Sequence, residues 1–112
     1  MTNEVKNYDE IAKELSTKHG CEVQPIVFNK DGEEIVGYIK TPSRILKTRT
    51  MDSATTKGTI TAASELFEAI LIPEMSDLRF SSNKSEDDDI YFGGALAAFG
   101  TIEILTNQFK KK

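Results

Sequence analysis

The segment from Ile90 to Ile102 constrains the fold most, because it is apolar on nearly every side of the helix that it predicts. Its three glycines and three alanines would let neighbouring elements approach closely. It is too short to cross a bilayer. A helix of this kind must lie at the centre of its domain or be covered by a partner. We therefore expect a closing helix over Glu86–Phe109 that is either a buried core helix or a partly exposed interface.

The ends of this helix carry charges that suit its dipole. Ser85 and Asp88 have the spacing of a capping box, the acidic run Glu86–Asp89 lies near the positive end, and Lys110–Lys112 lie near the negative end. The acidic run could alternatively bind a divalent cation. Consecutive helical residues point in different directions, however, so the sequence favours the electrostatic explanation.

Two segments rich in β-branched residues, "CEVQPIVF" and "EEIVGYIK", flank the sequence "NKDG". Asn, Asp and Gly are the residues that a tight reversal needs, so the pattern predicts a β-hairpin over Glu22–Phe28 and Glu33–Lys40. Gly32 suits the positive φ of a bulged turn. Pro25 has no backbone donor, which favours an edge position for the first strand.

The acidic turn of the hairpin has some likeness to a calcium-binding loop. An EF-hand loop needs oxygen ligands at its first and twelfth positions and Gly at its sixth. With Gly32 at the sixth position, the first is Val27 and the twelfth is Tyr38, and neither side chain chelates a metal. The sequence therefore predicts that this turn only reverses the chain and that the protein has no metal site.

Three further helices follow from spacing and caps. The first is predicted over Tyr8–His19, with Asn7 as its cap and Gly20 at its end. The second is predicted over Pro42–Thr55, with Thr41 as its cap.

The third predicted helix begins with a cap at Thr59 or Thr61 and is stopped by Pro73. Its apolar residues share one side: Ile60, Ala63, Leu66, Phe67, Ile70 and Leu71.

The segment from Pro73 to Asp89 is polar and is long for a connection in a small domain. We expect Leu78 and Phe80 to fix it to the body as a short extended segment, and residues 1–6 to be frayed. Together these patterns predict a single α+β domain over residues 1–112, in which a β-hairpin packs with about four helices.

No catalytic constellation is visible. His19 and Cys21, the single histidine and cysteine, are two residues apart, and no third group is identifiable that would orient a base. The phosphate-loop pattern is absent. We therefore expect a protein that is not an enzyme and binds no cofactor.

Charge and composition indicate the expected surroundings of the chain. The net charge of −4 argues against a nucleic-acid partner. One cysteine without a partner suits a reducing compartment, and the N-terminus lacks the apolar run of a signal peptide. We expect a cytoplasmic protein with no membrane contact.

Charge is also segregated along the chain. Residues 40–57 contain five basic residues and one acidic residue, whereas residues 65–89 contain eight acidic residues and two basic ones. The basic segment is either a solvated face or a docking surface for an acidic partner or another copy of the chain. Together with the aromatic residues of the closing helix, it supplies the candidate partner-binding residues, which are Lys40, Arg44, Lys47, Tyr91, Phe92 and Phe99.

The segment "IVFNKDGEEIVGYIKTPSR", followed by "ASELFEAILIPEMSD" and a closing helix that ends in "NQFKKK", resembles the small phage tail assembly chaperone-like proteins. The likeness covers roughly Glu22 to Lys112. It is a likeness of pattern, in which a hairpin leads through Gly-Tyr-Ile-Lys and a cap containing proline into helices.

The resemblance implies a non-enzymatic protein of phage morphogenesis in the cytoplasm of an infected or lysogenic bacterial cell. Such proteins coat the helical tape-measure protein and keep it soluble until the tail tube assembles. The alternative is a structural virion component, such as a connector or tail-completion subunit, which would self-associate into rings.

Overall fold

The structure, a computed structural model, describes the backbone of residues 3–107 and the side chains of residues 8–102. Within these residues the chain forms four α-helices and one two-stranded antiparallel sheet, which confirms the predicted single α+β domain. In chain order the elements are α1 (Asn3–His19), β1 (Val23–Lys30), β2 (Glu33–Lys40), α2 (Arg44–Thr56), α3 (Thr59–Ile70) and α4 (Asp88–Asn107).

The predicted hairpin is confirmed, but its turn is tighter than a bulged turn. Lys30 pairs with Glu33, so only Asp31 and Gly32 lie outside the ladder. Both have positive φ, 52° for Asp31 and 83° for Gly32, as a type I′ turn requires. This turn matches the twist of the two strands without an extra residue.

β2 is the inner strand because the segment after α3 covers its second edge. The amide of Ile72 donates to the carbonyl of Tyr38 at 2.9 Å, and the amide of Asp77 donates to the carbonyl of Val36 at 3.0 Å. On the other side, Pro25 lies opposite Tyr38 in β1 and has no amide to offer. The predicted edge position of the first strand is confirmed.

The hairpin forms a middle layer with one core on each face. Side chains alternate along the strands, so Ile35 and Ile39 join α3 and α4 in the larger core. Val23 and Tyr38 face the other way and pack with Ala12 of α1 in a smaller core. α2 is attached to the outer side of α3.

Two glycines let aromatic rings lie directly on the backbone of the larger core. A Cβ atom at Gly94 of α4 would lie 2.5 Å from Cζ of Phe67, and one at Gly37 of β2 would lie 2.9 Å from Cε2 of Phe80. Both rings are fully buried, and they meet edge to face with centroids 5.9 Å apart. Glycine at these two positions lets α3 lie close to α4 and lets the connection lie close to β2.

Several predicted helix caps are wrong. α1 begins at Asn3, so Asn7 lies inside the helix, although Gly20 ends it in the predicted left-handed conformation (φ 71°). Ser43 replaces Thr41 as the cap of α2, since its hydroxyl accepts a hydrogen bond from the amide of Leu46 at 3.2 Å. The cap of α3 is Gly58, which has no capping side chain.

The long connection before α4 consists of three 3-10 turns, Pro73–Met75, Leu78–Ser81 and Ser85–Asp87, rather than an extended segment. Phe80 fixes it to the core as predicted, whereas Leu78 is 80% exposed.

The start of α4 also differs from the prediction. Ser85 lies in a 3-10 turn that has no side-chain cap, so the expected capping box does not form, and α4 begins at Asp88. The predicted end at Phe109 and Lys110–Lys112 lie outside the described residues.

Gly94 offers a direct test of the ring contact. We expect Gly94→Ala to lower the free energy of unfolding by about 1–3 kcal/mol, because the new methyl group overlaps the buried ring of Phe67. Gly100→Ala on the same helix is the matched control, since no heavy atom lies within 4 Å of its added Cβ. The control should be neutral or stabilise by up to about 1 kcal/mol. Urea unfolding followed by circular dichroism measures both, and equal effects would contradict the proposed overlap.

Candidate functional site

Within the described residues, α4 is covered by its own chain on one side. Ile90, Ala98 and Phe99 are buried in the larger core, whereas Phe92 is 39% exposed and Leu96 is 48% exposed. Phe92 and Leu96 are four residues apart and therefore share a helix face. The expected core position thus holds for one side of the helix, while the other side is partly exposed and the interface stays a prediction. We call Phe92 and Leu96 the outer face of α4.

An open groove lies beside the outer face of α4, between α3, the 3-10 turns and the first turns of α4. It encloses about 510 Å³. Phe92 and the half-buried Tyr91 supply its aromatic surface, whereas the rings of Phe67 and Phe80 border it but are themselves buried. Two carboxylates, Glu68 from α3 and Asp88 from α4, give this aromatic groove an acidic rim. Such a surface suits apolar side chains that are flanked by cations.

Tyr91 joins the two helices that border the groove. Its hydroxyl donates a hydrogen bond to Oε2 of Glu68 at 2.6 Å, and its ring meets that of Phe67 edge to face at 5.9 Å. Burial raises the pKa of Tyr91, and the hydrogen bond to Glu68 raises it further. The hydroxyl therefore stays protonated near neutral pH and acts as a donor that holds Glu68 in position.

The basic candidates lie elsewhere on the molecule. Lys40 ends β2 and lines a second cavity, of about 330 Å³, together with Ala69 and Ile70 of α3. Arg44 and Lys47 lie in the first turn of α2. Within the part of the chain that the structure describes, none of the three basic side chains forms an ion pair.

The structure separates the predicted partner-binding residues into different surfaces. Tyr91 and Phe92 line the groove, whereas Lys40 lines the second cavity, and the two linings share no residue. The aromatic and basic candidates therefore do not form one site. Phe99 is buried in the core and does not belong to the exposed surface.

His19 and Cys21 line the same cavity as Lys40. Nε2 of His19 is buried and has no hydrogen-bond partner among the described residues. Among the described residues that line this cavity, none is a carboxylate that could orient the imidazole.

The acidic run before α4 is used in packing. Asp89 pairs with Lys30 of β1 at 3.1 Å and also accepts a hydrogen bond from the amide of Ile90. Across residues 8–102, no three side chains of the metal-binding types converge. At least one member of the run thus ties α4 to the hairpin.

One residue that the sequence did not single out positions the connection beside the groove. Arg79 donates to both carboxylate oxygens of Asp77 at 2.9 Å and to Oε2 of Glu33 at 2.8 Å. It thereby ties the connection to the start of β2, one residue before the buried ring of Phe80. Only the folded chain brings Glu33 near Arg79, so no local pattern could have revealed the pair.

A scan against protein-family models and searches of curated proteins and of solved structures found no match to this chain. Within the described residues, no helix combines the length and the apolar character that crossing a membrane requires.

The Arg79 contacts predict a dependence of stability on pH. Hydrogen bonds from Arg79 lower the pKa of Asp77 and of Glu33. A lowered folded-state pKa means that the contribution is fully present above the unfolded value of about 4 and is lost as the pH falls through the folded value. Arg79→Gln should therefore be less stable than the wild type above about pH 5, and the difference should shrink below about pH 4.

Chemical unfolding of both proteins across this pH range measures the difference. Arg49→Gln removes an exposed arginine that forms no ion pair among the described residues, and should show no such dependence. A gap between wild type and Arg79→Gln that is the same at every pH would contradict the assignment.

Proposed function

We propose that this chain is a non-enzymatic phage morphogenesis protein, a tail assembly chaperone that binds the helical tape-measure protein and keeps it soluble before the tail tube assembles. The observation that carries the proposal is the outer face of α4, where Phe92 and Leu96 remain exposed on an otherwise buried helix. The resemblance in sequence pattern supports the same role. Both point to a protein that acts by contact with another polypeptide.

The outer face of α4 suits an amphipathic helix as its partner. Two apolar side chains one turn apart match the spacing of anchors on a facing helix. Covering the exposed part of each side chain would contribute roughly 1 kcal/mol. Contacts of this strength favour a reversible complex, which a chaperone needs because it must leave before the tube subunits take its place.

Leu96 is the best position for testing this role, because it is exposed and lies outside the residues that line the groove. Coexpression with a helical fragment of the tape-measure protein of the same phage should keep that fragment soluble. Leu96→Asp should weaken the complex by about tenfold or more, since it places a charge in an apolar contact. Pull-down yield and calorimetry measure the loss.

Ile60→Asp is the matched control, since Ile60 is 51% exposed on another helix and undergoes the same chemical change. It should leave the complex intact. A fragment that precipitates in the presence of the wild-type protein would count against the chaperone role. Equal losses for the two variants would remove the outer face of α4 from the binding site.

The segregation of charge onto different surfaces favours a second candidate, a structural virion component such as a connector or tail-completion subunit. Such a subunit would self-associate and remain in the mature particle. Mass spectrometry of purified virions should distinguish the two roles. A chaperone is expected to be absent from the particle, whereas a structural subunit is expected in multiple copies.

A further inference from the structure

The solvent face of α2 is both apolar and basic. Ile45 is 67% exposed, Met51 is 49% exposed and Arg44 is also exposed, whereas the exposed Asp52 adds one negative charge to this face. Lys47 and Arg49 flank this face, and none of these three basic residues is paired within the described part of the chain. We call this surface the basic face of α2. No part of the chain that the structure describes covers it.

The aromatic groove has the complementary character. Its lining includes the partly exposed ring of Phe92 and the half-buried ring of Tyr91, and its rim carries Glu68 and Asp88. Its volume of about 510 Å³ is large enough for more than one aliphatic side chain. The groove therefore offers apolar contact and negative charge where the basic face of α2 offers apolar contact and positive charge.

We propose that a second copy of this chain docks the basic face of its α2 into the aromatic groove. No residue of α2 lines the groove of its own chain. The contact therefore joins different copies, and it is heterologous because the two surfaces differ. The α2 helix of each copy binds the groove of one neighbour, and its own groove binds the α2 helix of the next copy. Repeated contacts of this kind produce a head-to-tail chain or a closed ring.

The exposed side chains of the two surfaces determine which contacts they make. Ile45 and Met51 supply the side chains that enter the groove, where Phe92 gains cover. Arg44 and Lys47 lie against Glu68 and Asp88 at the rim. Because charges at a rim remain hydrated, they govern orientation and salt dependence, whereas the apolar side chains give most of the affinity. Self-association should therefore weaken as the salt concentration rises.

This inference does not rest on the tape-measure partner, although Phe92 belongs both to the groove and to the outer face of α4. It concerns the isolated protein, and its test uses neither Leu96 nor any phage protein. Failure of the chaperone role would leave it standing, and its own failure would leave the outer face of α4 free to bind another helix.

An exchange of charges tests the proposal on the full-length protein. Sedimentation velocity should show that the average mass of the wild type rises with concentration. One double variant, Arg44→Glu with Lys47→Glu, places acidic residues against the acidic rim. The other double variant, Glu68→Lys with Asp88→Lys, places basic residues against the basic face. Each double variant alone should associate at least about tenfold more weakly. An equimolar mixture of the two should recover association, because each altered surface then faces its complement.

Matched controls carry the same changes on α1. Lys13→Glu with Lys18→Glu, and Glu10→Lys with Glu14→Lys, alter the net charge equally at exposed positions outside both surfaces. They should associate like the wild type, and circular dichroism should confirm that every variant is folded.

Three results would overturn the proposal. The first is a wild type that stays monomeric up to its solubility limit, and the second is association that neither double variant changes. The third is a mixture of the two double variants that does not recover association. A monomeric wild type that binds a synthetic basic amphipathic peptide through Glu68 and Asp88 would assign the groove to a foreign partner instead.

Discussion

The contact between the ring of Phe67 and the backbone at Gly94 is the constraint on which the rest of the structure depends. It brings α3 and α4 close enough to share one core, and the same ring meets Phe80 from the connection and Tyr91 from α4. The aromatic groove exists because these rings meet at the junction of three elements. Stability and the candidate binding surface therefore have a common origin.

The functional surfaces differ in how the fold creates them. The outer face of α4 results from incomplete cover, since the hairpin and α3 together occupy only one side of the helix. The aromatic groove requires the connection to be fixed, which Arg79 achieves through Asp77 and Glu33. The basic face of α2 arises because that helix is attached to the outer side of α3. Each surface thus depends on how the helices, the connection and the hairpin pack on one another, and not on a short sequence motif.

Sequence patterns predicted the structural features that are set by residues close together in the chain. The hairpin follows from Asp31-Gly32 between two β-branched segments, and helical spacing predicts most of the buried side of α3, although Ile60 at its start is 51% exposed. The predicted cap of α2 was wrong because Thr41 and Ser43 are both good caps on either side of Pro42. The structure uses Ser43, while the amide of Thr41 donates to the carbonyl of Glu22. Phe99 was misassigned because a helix that is apolar on all sides gives no indication of which side is buried. The groove combines Glu68, Phe80 and Phe92 from three elements, and no local pattern predicts their meeting.

Pro25 has a consequence for how the protein behaves at high concentration. The amides of β1 that point away from β2 belong to alternate residues; that of Val23 is held by the hydroxyl of Ser16 at 2.8 Å, and Pro25 has none. A foreign strand would find only the later part of this edge available for pairing, and fibril growth by strand addition is discouraged. The chain can thereby expose apolar helical surface while the open edge of β1 resists the stacking of strands into amyloid-like fibrils.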